Sequence, residues 1–199
     1  MTTTLNASNS GSGGLVATAD ASGVLALQTA GTTALTIDAS QNVTLAKGLT
    51  VGATAAPSFS AYATANQSLT SGSPAKVVLN AEEWDTASAF DSTTNYRFTP
   101  AVAGYYHFDA MCRVTSSTAM TDTWIAIYKN GTVYKRAQEL GNQNVMTNGQ
   151  IVLSEMAYMN GSTDYIELYV LIAGTSTSLD NTSGQPYAAR LTGFLARSA

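Results

Sequence analysis

The stretch from Asn95 to Val114, NYRFTPAVAGYYHFDAMCRV, decides the predicted fold. Pro100 and Gly104 bracket a turn, because proline presets the bend and glycine tolerates backbone conformations that a side chain forbids. After the turn, apolar residues alternate with mixed polar residues. One face carries Tyr106, Phe108, Ala110, Cys112 and Val114, and the other carries Tyr105, His107, Asp109, Met111 and Arg113. This period of two predicts an interior strand with one face on the core of an all-β domain.

Further strands are predicted on both sides of this stretch. Asn130-Gly131 gives the strongest hairpin signal in the chain, because this dipeptide suits a two-residue turn between strands. Residues 82–90 are predicted as a loop or one helical turn. The other predicted strands are 59–63, 77–80, 124–128, 132–135, 151–159, 165–172 and 187–195. About eight or nine short strands with Gly and Asn turns indicate a double-sheet jelly roll.

Four segments, in order, resemble one known family. Residues 90–108, FDSTTNYRFTPAVAGYYHF, are similar to the signature of the C1q-like, tumour-necrosis-factor-like jelly roll. The other three are IAIYKNGT at 125–132, TDYIELYV at 163–170 and TGFLA at 192–196. Tyr96-Arg97 replaces the usual Gly before Phe-Thr-Pro, and nothing upstream has the Gly-X-Y period of a collagen stalk. The resemblance implies homotrimeric heads with aromatic residues along a threefold axis.

The first 56 residues differ in composition from the remainder. They contain no aromatic residue and only three charged ones, Asp20, Asp38 and Lys47. Such a segment cannot form a core of its own. Short apolar runs nevertheless recur between Gly and Asn, with strict alternation at Leu35, Ile37 and then Val43, Leu45. Two interpretations stay open: disorder, or a thin shaft whose short strands are stable only when three chains intertwine.

A second resemblance favours the shaft. Residues 23–51, GVLALQTAGTTALTIDASQNVTLAKGLTV, look like segments of phage tail-fibre and other virion-fibre proteins, which precede a globular head. The predicted organisation is therefore an attachment and shaft segment at 1–56, a trimeric β-rich unit, followed by a jelly-roll head at 57–199.

Composition and charge exclude several classes of protein. Charged residues make up 11% of the chain and the net charge is −4, so no basic surface for nucleic acid is expected. The single cysteine, Cys112, allows no internal disulfide framework and is predicted as a small buried residue. The polar start and the lack of a long apolar run predict neither a secretory signal nor membrane insertion. We expect a virion protein that is assembled in the host cytoplasm.

Outward-facing apolar side chains predict the subunit interface. Exposed aromatic and methionine residues at strand centres are unusual for a monomer. The predicted trimer interface comprises Tyr105, Met111, Tyr165 and Tyr169 in the head and Leu35, Ile37, Val43 and Leu45 in the shaft. Head and shaft then require the same symmetry.

No catalytic residue, metal site or cofactor is predicted. His107 is the only histidine, so no zinc cluster or Cys-His pair is indicated. The densest acidic group comprises Glu82, Glu83, Asp85 and Asp91. It fits a calcium loop or a glycosidase pair less well than a solvated loop, since its spacing matches no ion-binding motif. The chain is therefore predicted not to be an enzyme.

The predicted function is a phage virion fibre. Its N-terminal segment would attach a homotrimer to other virion proteins, and its head would contact a host surface glycan or protein, with weak contacts strengthened by multivalency. Receptor contacts are predicted from loop position at Asp122, Trp124, Gln143, Asn144, Asp180 and Asn181. The alternatives are a purely structural head fibre, capsid decoration or tail adaptor, and, more weakly, a glycan-degrading enzyme. A secreted C1q-like protein is disfavoured, because no export signal or collagen stalk is predicted.

Overall fold

A computed structural model gives the structure of the chain and describes residues 22–45, 57–139, 146–181 and 189–199. The regular elements in these ranges are β-strands. The chain divides into two compact units, Met1–Thr50 and Val51–Ala199. The predicted boundary after residue 56 lies outside the described residues and stays a prediction.

The first unit is a three-stranded antiparallel sheet. Its strands are β1 (Leu25–Thr29), β2 (Thr32–Ile37) and β3 (Val43–Leu45), in the order β1-β2-β3. Ala30 and Gly31 join β1 to β2 with φ of 50° and 74°, as a two-residue hairpin with the strand twist requires. Asp38 shapes the second turn, because its Oδ1 accepts hydrogen bonds from the N–H groups of Ser40 and Asn42, each at 2.9 Å.

The head consists of two antiparallel sheets. Its strands are β4 (Ser58–Tyr62), β5 (Gln67–Ser68), β6 (Ala75–Lys76), β7 (Ala81–Asp85), β8 (Phe90–Asp91), β9 (Arg97–Phe98), β10 (Ala103–Thr115), β11 (Asp122–Lys129), β12 (Thr132–Glu139), β13 (Asn148–Asn160), β14 (Ile166–Ala173), β15 (Ser178–Leu179) and β16 (Ala189–Ser198). The front sheet runs β7-β4-β16-β10-β13, and β15 with β5 extends it beside the end of β10. The back sheet runs β12-β11-β14-β9-β8, and β6 also pairs with β14.

The core lies between the two sheets and is built around four aromatic rings. Phe98 of the back sheet stacks on Phe59 of the front sheet at 4.3 Å between ring centroids and meets Tyr106 and Phe108 edge-on. All four residues are fully buried. The predicted inward residues of β10 are confirmed, since Tyr106, Phe108, Ala110, Cys112 and Val114 are all buried. Burial raises the pKa of the Cys112 thiol and makes it inert.

Gly193 allows β16 to cross the aromatic core closely. A Cβ atom at this position would lie 2.7 Å from Phe108 Cδ1 and 2.8 Å from Phe59 Cε1, well inside van der Waals contact. No side chain fits there without moving the rings. The glycine in the TGFLA segment therefore has a packing role.

Two predicted elements were wrong. Residues 77–80 form no strand, since β6 ends at Lys76 and the Leu79 N–H donates to the Val77 carbonyl oxygen within the segment. Residues 81–85 form the edge strand β7, where a loop or a helical turn was predicted at 82–90. Among the described strands β7 pairs with β4 alone, and its Glu82, Glu83 and Trp84 side chains are exposed. Consecutive charges mask the alternation that signals a strand, yet they suit a short edge strand because they oppose pairing with other chains.

The other edge of the front sheet, β13, is protected by side chains. β13 pairs with β10 along its whole length and leaves its second edge beside β12. On that edge the Tyr134 hydroxyl donates to the Met156 carbonyl oxygen at 3.2 Å. The Lys129 ammonium group donates to the Tyr158 carbonyl oxygen at 2.6 Å. Both carbonyl groups are therefore satisfied by side chains of the back sheet.

The two ends of the head differ. The base end holds the Asn130-Gly131 and Asn160-Gly161 turns and Pro57, whose carbonyl oxygen accepts from the N–H of Leu195. The loop end holds residues 66–73, 116–121 and 174–181, joined by bonds such as Ser117 N–H to the Thr175 carbonyl oxygen. The first described residue of the head thus lies at the end opposite these loops.

Candidate functional site

The outer face of the front sheet is unusually apolar. Tyr105, Val152, Met156, Tyr158 and Phe194 are between 42% and 66% exposed. They lie on the adjacent strands β16, β10 and β13, with Tyr105 opposite Tyr158 and His107 between Met156 and Phe194. We call this surface the apolar face. β13 is apolar on both sides, because Ile151, Leu153, Ala157 and Met159 point into the core, which indicates a strand covered on both faces.

The rings of the apolar face contact one another within the chain. The Tyr105 and Tyr158 rings meet edge-on at 5.4 Å, and the His107 and Phe194 rings lie 5.3 Å apart. These contacts restrict the side-chain conformations before any partner binds. A partner therefore meets a partly ordered surface, which lowers the entropic cost of association.

A polar group interrupts the apolar face. The Ser154 hydroxyl is 3.1 Å from His107 Nε2, and His107 Nδ1 is 3.4 Å from an Asp109 carboxylate oxygen. Beside it lies a concave cavity of about 420 Å³ lined by Asp109, Ala110, Met111, Val152, Leu153, Ser154, Arg190 and Thr192. The cavity is large enough for a small molecule or for side chains of another protein.

Ser154, His107 and Asp109 have the order of a nucleophilic relay. Acyl transfer also needs hydrogen-bond donors that converge on the developing oxyanion. On this sheet the N–H of Ser154 lies in the sheet plane, on the β13 edge, whereas its hydroxyl stands perpendicular to the plane. The geometry supports a hydrogen-bonded polar group within a binding surface better than it supports catalysis.

The structure separates the residues predicted for the trimer interface of the head. Tyr105 and half-buried Met111 lie on the apolar face. Tyr165 and Tyr169 lie on the outer side of the back sheet, where the Tyr169 ring stacks on Tyr128 at 3.8 Å and the Arg97 guanidinium covers the Tyr165 ring at 4.4 Å. The four residues do not form one surface. Alternation identified outward side chains but could not tell which sheet carries them.

The predicted shaft residues do lie on one surface. Leu27, Leu35 and Leu45 form one row across the three strands, and Leu25, Ile37 and Val43 form the next. We call this surface the aliphatic face. Leu25, Leu27 and Val43 are 46%, 47% and 61% exposed, and the other three residues are half-buried. Leu25 and Leu27 were missed by the prediction, although they show the same alternation.

Trp124 corrects the predicted receptor contacts. It is 5% exposed and lies within β11, in agreement with the strand predicted at 124–128, so it does not occupy the exposed loop that the receptor-contact prediction assumed. Its indole packs with Ala126 and Leu171 on the outer side of the back sheet, and the Arg136 guanidinium lies 5.4 Å from the ring. The residue forms part of a small second core, because its strand is apolar on both faces.

The other predicted receptor contacts are held by partners within the chain or lie outside the described residues. Asp180 pairs with Arg113 at 3.4 Å, and Asn181 donates to Asn66 Oδ1 and to the Ala63 carbonyl oxygen. Asp122 is half-buried at the start of β11, opposite Ala173. Gln143 and Asn144 lie outside the described residues. The structure does not bring this set together as one contact surface.

The acidic residues at 82–91 stabilise turns and an edge strand. Asp85 accepts hydrogen bonds from the N–H groups of Ala87 and Phe90, and Glu83 accepts one from the Ser60 hydroxyl at 2.7 Å. Asp91 accepts from three successive N–H groups at residues 93–95. These bonds hold the pKa of Asp91 far below its ordinary value of 3.8, which is opposite to the shift a general acid needs. Across the described ranges, no group of three or more His, Cys, Asp or Glu residues could hold a metal ion.

The Asp91 turn gives a prediction of pH dependence. Because the carboxylate is stabilised in the folded chain, its contribution to the free energy of unfolding is present above the ordinary pKa of 3.8 and is lost as the pH falls through the lower folded pKa. We expect Asp91→Ala to destabilise the head at pH 6, and we expect its difference from the wild type to shrink progressively as the pH falls below 3.8. Urea midpoints across this range measure the difference. Glu82→Ala, which removes an exposed carboxylate that caps no turn, is the control, and parallel curves for Asp91→Ala would contradict the assignment.

Two further observations bear on the class of protein. In the part of the chain that the structure describes, no helix has the length and apolarity needed to cross a membrane. The strand order of the two sheets and the aromatic core between them define a jelly roll of the C1q/TNF-like fold.

Solved structures agree with this fold. A structure of murine APRIL has a TM-score of 0.50 at 10% identity, covering 70% of this chain and 98% of that one. The globular domain of zebrafish complement 1qA is 20% identical over 72% of this chain and 98% of its own, with a TM-score of 0.47. The Eiger TNF of S. frugiperda is 13% identical over 72% of this chain and 93% of its own, with a TM-score of 0.49. No protein-family model and no curated protein matches the chain.

Proposed function

We propose that the chain is the subunit of a homotrimeric virion fibre, in which the apolar face and the aliphatic face are the contacts between copies and the head contacts a host surface. The observation that carries this proposal is the apolar face. Five large apolar side chains that are 42–66% exposed lie together on three adjacent strands, and contiguous exposed apolar surface marks interaction sites.

Three copies are favoured by the resemblance of the head to C1q-like and TNF-like domains. A contact that uses the same surface of each copy around a threefold axis closes on itself and leaves no free interface. The axis would run along the strands of the front sheet, because the apolar face extends in that direction from Val152 to Tyr158. This arrangement places aromatic side chains near the axis.

The first unit needs the same partners. A three-stranded sheet of this size requires a covered apolar face to be stable in water. Its aliphatic face carries six Val, Leu and Ile residues in two rows. Because each chain carries one copy of each unit, both surfaces would be covered by the same number of copies.

The host-contact part of the proposal rests on the position of the loops. Residues 66–73, 116–121 and 174–181 lie at the end of the head opposite Pro57, and the exposed ones are mainly Ser and Thr. Three identical sets of polar loops at one tip would suit weak, repeated contacts to a surface glycan or protein. The N-terminal segment would then bind other virion proteins.

The first experiment is sedimentation of the full chain at several concentrations. We expect a species with three times the chain mass of 20.7 kDa. A folded monomer at every concentration would contradict the proposal. Imaging of intact particles with and without the chain would then test the virion assignment.

A purely structural fibre is the second candidate, and one observation favours it. Asp180 and Asn181 use their side chains within the loop end, and Trp124 is buried, so three predicted receptor contacts are occupied by the chain itself. Binding of the purified oligomer to host cells discriminates the two. A lack of binding, together with less stable particles when the chain is missing, would support the structural role.

A further inference from the structure

The polar group within the apolar face carries an inference that rests on the proposed self-association. Asp109 lies in the middle of β10, and 56% of its side chain is exposed despite the neighbouring His107. Arg190 of β16 is exposed on the same face, opposite Met111. Among the described residues, Arg190 makes no ion pair with a carboxylate. Asp109 and Arg190 therefore place an anionic and a cationic group on a surface that is otherwise largely apolar.

Asp109 and Arg190 lie at similar heights along the strand direction, so the anion of one copy can meet the cation of the next. Asp109 of β10 is opposite Thr192 of β16. Arg190 is the next outward-facing residue of β16 toward the loop end. Around an axis parallel to the strands, residues at similar levels of neighbouring copies meet. Arg197, the other cation that β16 carries on this face, is opposite Tyr105 at the base end and lies at a different level.

We infer that Asp109 of one copy forms an ion pair with Arg190 of the neighbouring copy, and that this pair selects the arrangement of copies in the assembly. His107 supports the pair as a positioning residue, because its ring packs on Phe194 and its Nδ1 faces the Asp109 carboxylate. The cavity of about 420 Å³ beside Asp109 gives room for the incoming guanidinium.

The physical reason for selection is the cost of an unpaired charge. The aromatic contacts would tolerate several rotations and shifts of one copy against another, because apolar burial has no direction. A charge buried in such an interface without a partner costs much more than the pair contributes. The arrangement that joins Asp109 of one copy to Arg190 of the next avoids this cost at every junction, so the pair acts on specificity more than on affinity.

Charge reversal tests the inference. We expect Asp109→Arg and Arg190→Asp each to raise the dissociation constant of the oligomer at least about 30-fold, since each places like charges together. When the two variants are mixed, opposite charges meet again at junctions between unlike chains. Native mass spectrometry should then show mixed trimers in preference to trimers of either variant alone. Neither variant can form the pair within one chain, so this recovery reports contacts between copies.

Lys135→Glu is the matched control, because it reverses an exposed charge on β12 of the back sheet and should leave the oligomer unchanged. Thermal unfolding of each variant checks that it remains folded. Single variants that assemble like the wild type would overturn the inference, and so would a mixture that shows no preference for mixed trimers. In both cases the proposed homotrimer stands. A monomeric wild type would instead overturn the homotrimer and this inference together.

Discussion

Replacement of Phe194 by aspartate is expected to convert the proposed homotrimer to a folded monomer. Phe194 lies on the apolar face with 47% of its surface exposed, so the core does not depend on it. Burial of a phenylalanine side chain contributes about 1.5–3 kcal/mol, and a carboxylate in its place would have to lose its water without a partner. Together these effects predict a dissociation constant raised by more than about 100-fold. Sedimentation equilibrium measures it directly.

Val133 provides a matched control for this substitution. It is 49% exposed, close to the exposed fraction of Phe194, but it lies on β12 of the back sheet. Val133→Asp should leave the oligomeric state unchanged. If both variants dissociate, the effect is one of charge or stability; if neither does, the apolar face is not the contact between copies.

The second large effect is expected in the core. Phe98 is fully buried and contacts the rings of Phe59, Tyr106 and Phe108. Phe98→Ala removes these contacts and leaves a cavity, which costs about 3–5 kcal/mol of unfolding free energy. Because the ring joins the two sheets, the surrounding strands cannot close the cavity by a small shift. Urea unfolding at matched protein concentration gives the difference.

The same substitution at an exposed phenylalanine distinguishes the loss of core packing from the loss of a phenylalanine ring as such. Phe194→Ala removes an identical ring from the apolar face and should change the unfolding free energy of a monomeric head by less than about 1 kcal/mol. Equal losses for the two variants would contradict the assignment of Phe98 to the core.

Local patterns predicted much of this fold. The alternation after Gly104 identified both faces of β10 correctly, and Asn130-Gly131 identified the β11–β12 hairpin, because both signals depend on neighbouring residues alone. Residues 82–85 were not predicted as a strand, because the charged residues of this edge strand do not alternate with apolar ones. The strand at 124–128 was predicted correctly. Trp124 was nevertheless taken as an exposed receptor contact, because the second small core that buries it depends on Leu171 and Tyr169, distant in sequence.

The candidate site was harder to predict than the fold. Tyr105 and Met111 were correctly recognised as outward-facing, yet Tyr158, Met156 and Phe194, which complete the apolar face, were not. Tyr165 and Tyr169 were included because alternation gives the side of a strand, whereas the pairing of strands into sheets decides which outward residues meet. The sequence signal that could have identified the rest of the apolar face was in β13, where apolar residues occupy both sides of a long strand.

The side chains that donate hydrogen bonds to the β13 carbonyl groups limit how large an assembly can grow. An open strand edge next to an adhesive surface would recruit further chains one after another, as in amyloid growth. Tyr134 and Lys129 obstruct that route at the β13 edge, which borders the apolar face, so association there is directed to the broad surface of the sheet. Growth would then stop when those surfaces are used up, which would limit the size of the assembly.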